Sequence, residues 1–248
     1  MQFLGNTVRE IAGEKAGIIV PGVPVIYDGN DKDAAEVIAA KAKELGSPAY
    51  KVIQAGAKVL GNNKDGIDFS LEDDYYGDTR FHIPFIAWYQ VMNASLALTT
   101  MEVLKDRIPV TMEQLQAGIA NTRWQGRMET ILPGVIVDGA HNEDGVRRFV
   151  ETAERFQKEY PLTLLFSAVN DKDYQDMIHT ICSRIKFRKV VTTEVGGYRE
   201  VPSAELAEIF CKEGCKDVGN SDNIEEAFHM AHEAKGAVSY THLRAHET

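Results

Sequence analysis

The residues best suited to chemistry in this sequence follow a short apolar run. Residues 135–137 are Val-Ile-Val, and Asp138, His141 and Asn142 come directly after them, before a helix that opens with acidic residues. In an open α/β sheet, ligands bind beyond the carboxyl ends of the strands, so an acid, an imidazole and an amide at this place are candidate site residues. Asp and Asn are also good helix N-caps, and the local pattern does not decide between capping and function.

The elements that would position these residues alternate between strand and helix. Strands are predicted at 135–137, 162–166 and 189–193, and helices at 143–159, 174–184, 203–212 and 223–234. Such alternation is typical of a parallel sheet with crossover helices. The second half of the chain is therefore predicted to be a small doubly wound, Rossmann-like domain.

The first half begins with the same alternation and then changes character. Helices are predicted at 8–16 (with a capping box of Thr7 and Glu10), 31–45, 86–104 and 112–119. A buried strand is predicted at 23–27 and another short strand at 49–53. Residues 56–80 are richer in Gly, Asn and Asp, and alternating runs at 67–70 and 79–83 predict antiparallel hairpin strands beside the parallel sheet. Residues 121–133 show no clear period and are predicted to be the domain joint.

Composition narrows the function classes. The chain has 248 residues, a net charge of -10 and three cysteines. The negative charge argues against a nucleic-acid or membrane-surface binder, and three cysteines are too few for a disulfide framework, which favours a reducing cytoplasm. No segment has the length or apolar character of a membrane span or signal peptide.

Two pairs of residues have types that can bind a metal. We expect Cys211 and Cys215, four apart on a predicted helix, to be small buried residues instead. We expect His229 and His232 to lie on a solvated face and not to bind a metal.

Several short motifs, in order along the chain, resemble the folylpolyglutamate synthase and dihydrofolate synthase family of the Mur ligase superfamily. They are Leu-Gly-Asn-Thr at 4–7, Ile-Ala-Gly-Glu-Lys-Ala-Gly-Ile-Ile at 11–19, Pro-Gly-Val-Pro-Val at 21–25, Gln90 with Asn-Ala at 93–94, Trp124 with Gly-Arg-Met-Glu at 126–129, Asp-Gly-Ala-His-Asn at 138–142 and Asp-Lys-Asp at 171–173. The motifs at 14–18 and 138–142 are the most specific. The resemblance implies the C-terminal half of a P-loop-type central ATPase domain, followed by a Rossmann-like Mur ligase C-terminal domain.

The resemblance also implies a reaction. ATP would phosphorylate a folate carboxylate, the amine of L-glutamate would attack the acyl phosphate, and phosphate would leave, with Mg²⁺ neutralising the transferred phosphoryl group. The implied cofactors are ATP and Mg²⁺, the substrates are small molecules, and the implied protein is a cytoplasmic monomer. Whether glutamate is added to folates, dihydrofolate is made, or both, stays open.

Five residues match functional positions of the family. Lys15 matches the carbamylated lysine, a catalytic residue whose carbamate oxygen would bind Mg²⁺. Asn93 matches an amide that contacts the nucleotide, and Arg127 matches an arginine that reaches the ATP phosphates. Asp138 matches an acid that binds the nucleotide from the second domain, and His141 matches a catalytic histidine on the same face.

Each of these motifs also has a simpler structural explanation. Gln90 and Asn93 are spaced as a polar helix edge, Arg127 as a surface ion-pair partner and Lys15 as a cation at a helix C-terminus. The motif of Asp171, Lys172 and Asp173 has the composition of a helix-capping loop. None of these explanations accounts for the order in which the motifs occur.

The sequence departs from the family at both ends. No G-x-x-x-x-G-K-[ST] phosphate loop occurs, and a metal-binding His of the family would align immediately before Met1. We therefore expect residues 1–122 to be a partial ATPase domain, residues 123–238 a C-terminal domain and residues 239–248 a tail foreign to the family, with no partner element. This chain alone is expected to have low stability and no ligase activity.

Three other functions fit parts of the pattern. A Mur-type ligase acting on cell-wall precursors would share the motifs, and a non-catalytic nucleotide-binding module would share the domain. A dehydrogenase would share the Rossmann-like half, but a G-x-G-x-x-G after a strand is missing.

Overall fold

The structure, a computed structural model, describes residues 5, 7–63, 65–170, 173–194, 196–197 and 199–234, and the backbone of 237–241. This part of the chain has a mixed α/β fold, which confirms the predicted class. Contacts divide the chain after Arg123 into two compact units, unit 1 and unit 2. None of the helices in the described ranges has the length and apolar character needed to cross a bilayer.

Unit 1 contains two small sheets. Its elements are α1 (Val8–Ala16), β1 (Val25–Asp28), α2 (Lys32–Glu44), β2 (Ala49–Val52), β3 (Ala57–Asn63), β4 (Gly66–Leu71), β5 (Phe81–Ile83), α3 (Tyr89–Val103) and α4 (Met112–Ala120). β1 and β2 form a parallel pair, whereas β3, β4 and β5 form an antiparallel sheet. The antiparallel strands are confirmed, but they form a sheet of their own instead of extending the parallel one, and β3 was not predicted.

The apolar core of unit 1 lies against the antiparallel sheet. Phe69 and Phe81 are fully buried and pack with residues of α3 such as Leu98. The strands of the parallel pair are half-buried or exposed. The short strand predicted at 49–53 is confirmed as β2, but the prediction that the strand at 23–27 is buried is wrong. Among the described elements, this pair packs against α2 and α3. The apolar residues of a strand do not show how many other elements cover it, so the sequence could not indicate this partial burial.

Unit 2 is built on one six-stranded sheet. Its elements are β6 (Glu129–Leu132), β7 (Val135–Asp138), α5 (Glu143–Gln157), β8 (Leu162–Phe166), α6 (Tyr174–Arg184), β9 (Phe187–Thr193), α7 (Ser203–Lys212), β10 (Val218–Ser221), α8 (Ile224–His232) and β11 (Ala237–Thr241). The strand order is β10-β9-β8-β11-β7-β6, parallel except for β6. Every residue of the central strand β8 is buried, as a sheet covered on both faces requires.

Three strands of unit 2 differ from the sequence prediction. β6 and β10 were not predicted, because β6 is exposed at the sheet edge and β10 lacks an apolar run. β11 pairs in parallel with both β7 and β8, so the prediction that residues 239–241 have no partner element is wrong. This pairing joins segments far apart in sequence, which no local pattern reports. Residues 242–248 of the predicted tail lie outside the described residues.

Candidate functional site

Asp138 is the buried centre of the candidate site in unit 2. It lies at the carboxyl end of β7 and only 3% of its surface is exposed. Its Oδ2 accepts a hydrogen bond from the backbone N–H of Met128 at 2.9 Å, and its Oδ1 accepts one from Ala140 N–H at 2.9 Å. Burial raises the pKa of Asp138, against the opposing effects of these hydrogen bonds and of the nearby Arg127 charge. The carboxylate therefore holds two backbone segments together.

The first of these segments is a tight turn that carries Arg127. Gly126 N–H donates to Glu129 Oε2 at 2.9 Å, and Gly126 O accepts from Gly139 N–H at 2.7 Å. Met128 has φ of 48°, in the left-handed region that non-glycine residues rarely adopt. A strained turn persists only where its surroundings over-determine it, and here Asp138 and Gly139 provide that restraint. We call the turn 126–129, joined to 138–140, the arginine clamp.

His141 sits beside the clamp with one ring nitrogen already engaged. Its Nδ1 lies 2.8 Å from Gly139 O, and because a carbonyl only accepts, Nδ1 must donate. In the neutral imidazole this assigns the proton to Nδ1 and leaves Nε2 as the acceptor nitrogen. The half-buried ring is therefore oriented by its own backbone at the carboxyl end of β7.

The structure shows which of the two candidate residues caps the helix. Asn142 is the N-cap of α5, and its Oδ1 accepts from Gly145 N–H at 2.8 Å. Asp138 makes no such cap, since both oxygens bind the clamp. A Cβ at Gly145 would approach Asn142 Oδ1 to 3.1 Å, so this helix start is tightly packed. The local sequence could not separate the two roles because both residue types cap helices equally well.

The motif after β8 is described only in part. Asp173 is the N-cap of α6, and its Oδ1 accepts from Asp176 N–H at 3.3 Å. This geometry agrees with the capping explanation for that residue. Asp171 and Lys172 lie outside the described residues.

In unit 1, the predicted residues lie on two helices. Lys15 is exposed in the last turn of α1, where the helix dipole favours a cation. Asn93 is exposed on α3, and its Nδ2 donates to Oε1 of the buried Gln90 at 2.7 Å. Gln90 therefore fixes the orientation of the Asn93 amide.

One polar residue near Asn93 was missed from the sequence. Asn30 follows β1, where its Nδ2 donates to Asp28 Oδ1 at 2.7 Å and contacts Met92 Sδ at 3.4 Å, while its Oδ1 accepts from Gln54 N–H at 2.9 Å. It therefore ties the ends of both parallel strands to α3. The polar run Asp-Gly-Asn-Asp directly after an apolar strand was the signal that would have found it.

The sequence also led to expectations about metal binding and about the exposure of two cysteines and two histidines. Within the described ranges, no group of three or more His, Cys, Asp or Glu side chains is arranged to hold a metal ion. Cys211 is exposed and Cys215 is half-buried beyond the end of α7, so the expectation that both are buried residues of one helix is wrong. His229 and His232 are exposed, as expected, and His232 stacks on Phe228.

One family model matches the part of the chain that contains the arginine clamp. Residues 126–238 match the family model "Mur ligase, glutamate ligase domain", which includes the whole clamp and His141. The chain is 36% identical over 199 residues to the dihydrofolate synthase/folylpolyglutamate synthase of Bacillus subtilis, an alignment of 75% of this chain and 45% of that protein. The chain thus spans about half the length of the curated relatives it matches.

Solved structures agree with this comparison. The folylpolyglutamate synthase of Thermotoga maritima superimposes with a TM-score of 0.77 at 25% identity, over 96% of this chain and 56% of that one. An FPGS–AMPPCP complex superimposes with a TM-score of 0.72 at 26% identity, over 98% and 56%. The resemblance drawn from the sequence is confirmed: residues 126–238 match the Mur ligase glutamate ligase domain, and the homologues of this chain are folylpolyglutamate and dihydrofolate synthases.

Proposed function

We propose that this chain is part of an ATP-dependent ligase that joins L-glutamate to a folate, with folylpolyglutamate synthase activity, dihydrofolate synthase activity or both. The observation that carries the proposal is the arginine clamp within the matched domain. A guanidinium held on a fixed turn provides the bidentate, always-charged partner that a phosphate requires.

In the proposed reaction, a folate carboxylate oxygen attacks the γ-phosphorus of ATP, ADP leaves, and an acyl phosphate forms. The amine of glutamate then attacks the acyl carbon, an amide bond forms, the amine loses a proton and phosphate leaves. Arg127 would bind phosphate oxygens, and Asn93, oriented by Gln90, would contact the nucleotide. His141 would present Nε2 at the same face as Arg127. Catalysis of this kind is mostly positioning and electrostatics.

The role proposed for Asp138 changes from nucleotide ligand to positioning residue. Both of its oxygens already accept backbone hydrogen bonds, and its side chain is buried. It would act on the nucleotide through Arg127, whose turn it holds.

Bound Mg²⁺ would neutralise charge on the transferred phosphoryl group. The described residues do not by themselves form a site for it, and Lys15, if carbamylated, would add only part of one. No step is therefore assigned to the metal. We further propose a cytoplasmic monomer that acts on small molecules and binds neither nucleic acid nor membrane, in keeping with its net charge of -10.

A chimera tests the proposed function. The aligned part of this chain replaces the matching segment of the Bacillus subtilis relative, and ADP formation is measured with ATP, Mg²⁺, L-glutamate and a folate. The proposal predicts ADP formation that requires both glutamate and the folate. Turnover with a UDP-sugar peptide in place of the folate would support a cell-wall ligase instead, and nucleotide binding without turnover in a folded chimera would support a binding module.

A further inference from the structure

Two of the three cysteines lie close together at the edge of unit 2 opposite the arginine clamp. Cys182 Sγ and Cys215 Sγ are 3.7 Å apart, and both residues are half-buried. Cys182 lies in the last turn of α6, which leads into the start of β9, and Cys215 lies just before the start of β10. Both therefore belong to the amino-terminal edge of the parallel sheet, whereas the clamp lies at the carboxyl end of β7.

The backbone fixes Cys215 in this position. Cys215 N–H donates to Phe210 O at 3.0 Å, and Gly214 N–H donates to Cys211 O at 3.1 Å. Gly214 has φ of 94°, in the left-handed region. These two bonds and this conformation are those of a Schellman motif, with Gly214 at C′ and Cys215 at C″. The motif ends α7 before Cys215, which explains why the thiol turns toward α6 instead of continuing the helix beside Cys211.

We propose that Cys182 and Cys215 are a site of reversible oxidation that forms a disulfide between the end of α6 and the α7–β10 turn. A disulfide needs an S–S distance of about 2.05 Å, and the two sulfurs, 3.7 Å apart and in hydrogen-bond contact, need to approach by less than about 2 Å. Cys182 is anchored in α6 and Cys215 in the hydrogen-bonded Schellman turn, which favours one defined bond.

The chemistry requires a two-electron oxidant, such as hydrogen peroxide. The Cys215 thiol loses its proton, its thiolate attacks peroxide, the O–O bond breaks, and a sulfenic acid and hydroxide form. The hydroxide takes up the proton that the thiol lost and becomes the first water. The Cys182 sulfur then attacks the sulfenic sulfur, the S–S bond forms, and hydroxide leaves with the Cys182 proton as a second water. The hydrogen bond between the two thiols stabilises the thiolate of either one, and the same steps balance with the two sulfurs exchanged.

Peptide mapping of the full chain tests the proposal. The chain is treated with graded hydrogen peroxide, its remaining thiols are alkylated, and it is digested with trypsin without reduction. Trypsin cuts after Arg184 and Lys212, so each of the three cysteines falls in a different peptide. We expect the peptide of Cys182 to be linked to that of Cys215, two of three thiols to be lost, and dithiothreitol to restore both.

Cys211→Ser is the matched control, because this exposed thiol lies four residues from Cys215 outside the pair. It should leave the crosslink unchanged, whereas Cys182→Ser and Cys215→Ser should abolish it. Oxidation should also raise the Tm of unit 2 by about 5 °C, since the bond restricts the unfolded chain. Linkage of either cysteine to Cys211, sulfinic acid without a crosslink, or a Tm lowered by oxidation would overturn the proposal. The wild-type map decides the matter even where a variant fails to fold.

Discussion

The two units of this chain differ most in how deeply their parallel strands are buried. In unit 2, β8 is buried along its whole length, and helices follow β7, β8, β9 and β10. In unit 1, β1 and β2 form a two-stranded parallel pair whose residues are half-buried or exposed. Parallel sheets are stable when both faces are covered. We therefore attribute the stability of unit 1 to its antiparallel sheet and α3, and that of unit 2 to its parallel sheet.

The strongest test of this difference is a pair of truncations in the parallel strands. Phe166→Ala in β8 removes a fully buried ring that packs edge-to-face on Phe210, so it should lower the free energy of unfolding of unit 2 by about 3–5 kcal/mol. Tyr50→Ala in β2 removes an exposed ring and should cost less than about 1 kcal/mol. Urea unfolding followed by hydrogen exchange of peptides from each unit measures both. Equal losses would contradict the comparison.

The next test concerns the arginine clamp. Asp138→Ala leaves the N–H groups of Met128 and Ala140 without their acceptor and should cost about 2 kcal/mol. Hydrogen exchange should quicken at residues 126–129 while β8 stays protected. Asn142→Ala, which removes a neighbouring cap without touching the clamp, is the control. If exchange at 126–129 does not change, Asp138 does not hold the turn.

One carboxylate in each unit should make the free energy of unfolding depend on pH, and the two dependences should have opposite signs. In unit 1, the Arg80 and His82 hydrogen bonds lower the pKa of Asp68, so its stabilising effect is present above the unfolded pKa of about 4 and is lost as pH falls through the lower folded pKa. In unit 2, the pKa of Asp138 is raised, so its contribution is greatest below about pH 4 and is lost as pH rises through the folded pKa.

Paired variants isolate these two carboxylates. Stability is measured from pH 3 to 7, where about 4 is the ordinary pKa of an aspartate, for the wild type, Asp68→Asn and Asp138→Asn. The advantage of the wild type over Asp68→Asn should shrink toward low pH, and its advantage over Asp138→Asn should grow. If the curves of stability against pH for both variants run parallel to that of the wild type, neither pKa shift is coupled to folding.

Much of the regular structure was accessible from the sequence because its determinants are local. The capping box of Thr7 and Glu10 begins α1 as predicted, and the side chains of Asp31 and Thr111 likewise cap α2 and α4. β8 and α7 have the predicted bounds, since an apolar run and an amphipathic period define them. The features that were missed depend on long-range pairing or on backbone geometry, such as β11 between β7 and β8 and the Schellman turn at Gly214.

The sequence indicated which residues form the candidate site, but it did not indicate which contacts they make. Resemblance pointed to Arg127, Asp138 and His141, and the structure gathers all three around the end of β7. That Asp138 binds the turn of Arg127 instead of pointing outward depends on a left-handed Met128, which no sequence pattern indicates. Lys15 and Asn93 stay predictions on the helices of unit 1.

The smallest expected effects come from the helix caps, and here the two units should not differ. Thr7→Ala in α1 and Asn142→Ala in α5 each remove one side-chain acceptor and should cost about 1 kcal/mol. A cap acts within the first turn of its own helix. Similar losses of unfolding free energy in the two variants would therefore mean that the units differ in stability through their sheets and not through their helix caps. A much larger loss at Thr7 would mean that the whole of unit 1 is marginal.

The most direct measurement of the central claim is the rate of folate- and glutamate-dependent ADP formation by the chimera with Arg127→Ala. Arg123→Ala, an exposed arginine four residues earlier, is the matched control. If the clamp presents Arg127 to the ATP phosphates, kcat should fall by about 10²–10³ in Arg127→Ala and stay within about twofold of wild type in Arg123→Ala. A folded Arg127→Ala chimera with wild-type kcat would contradict the claim.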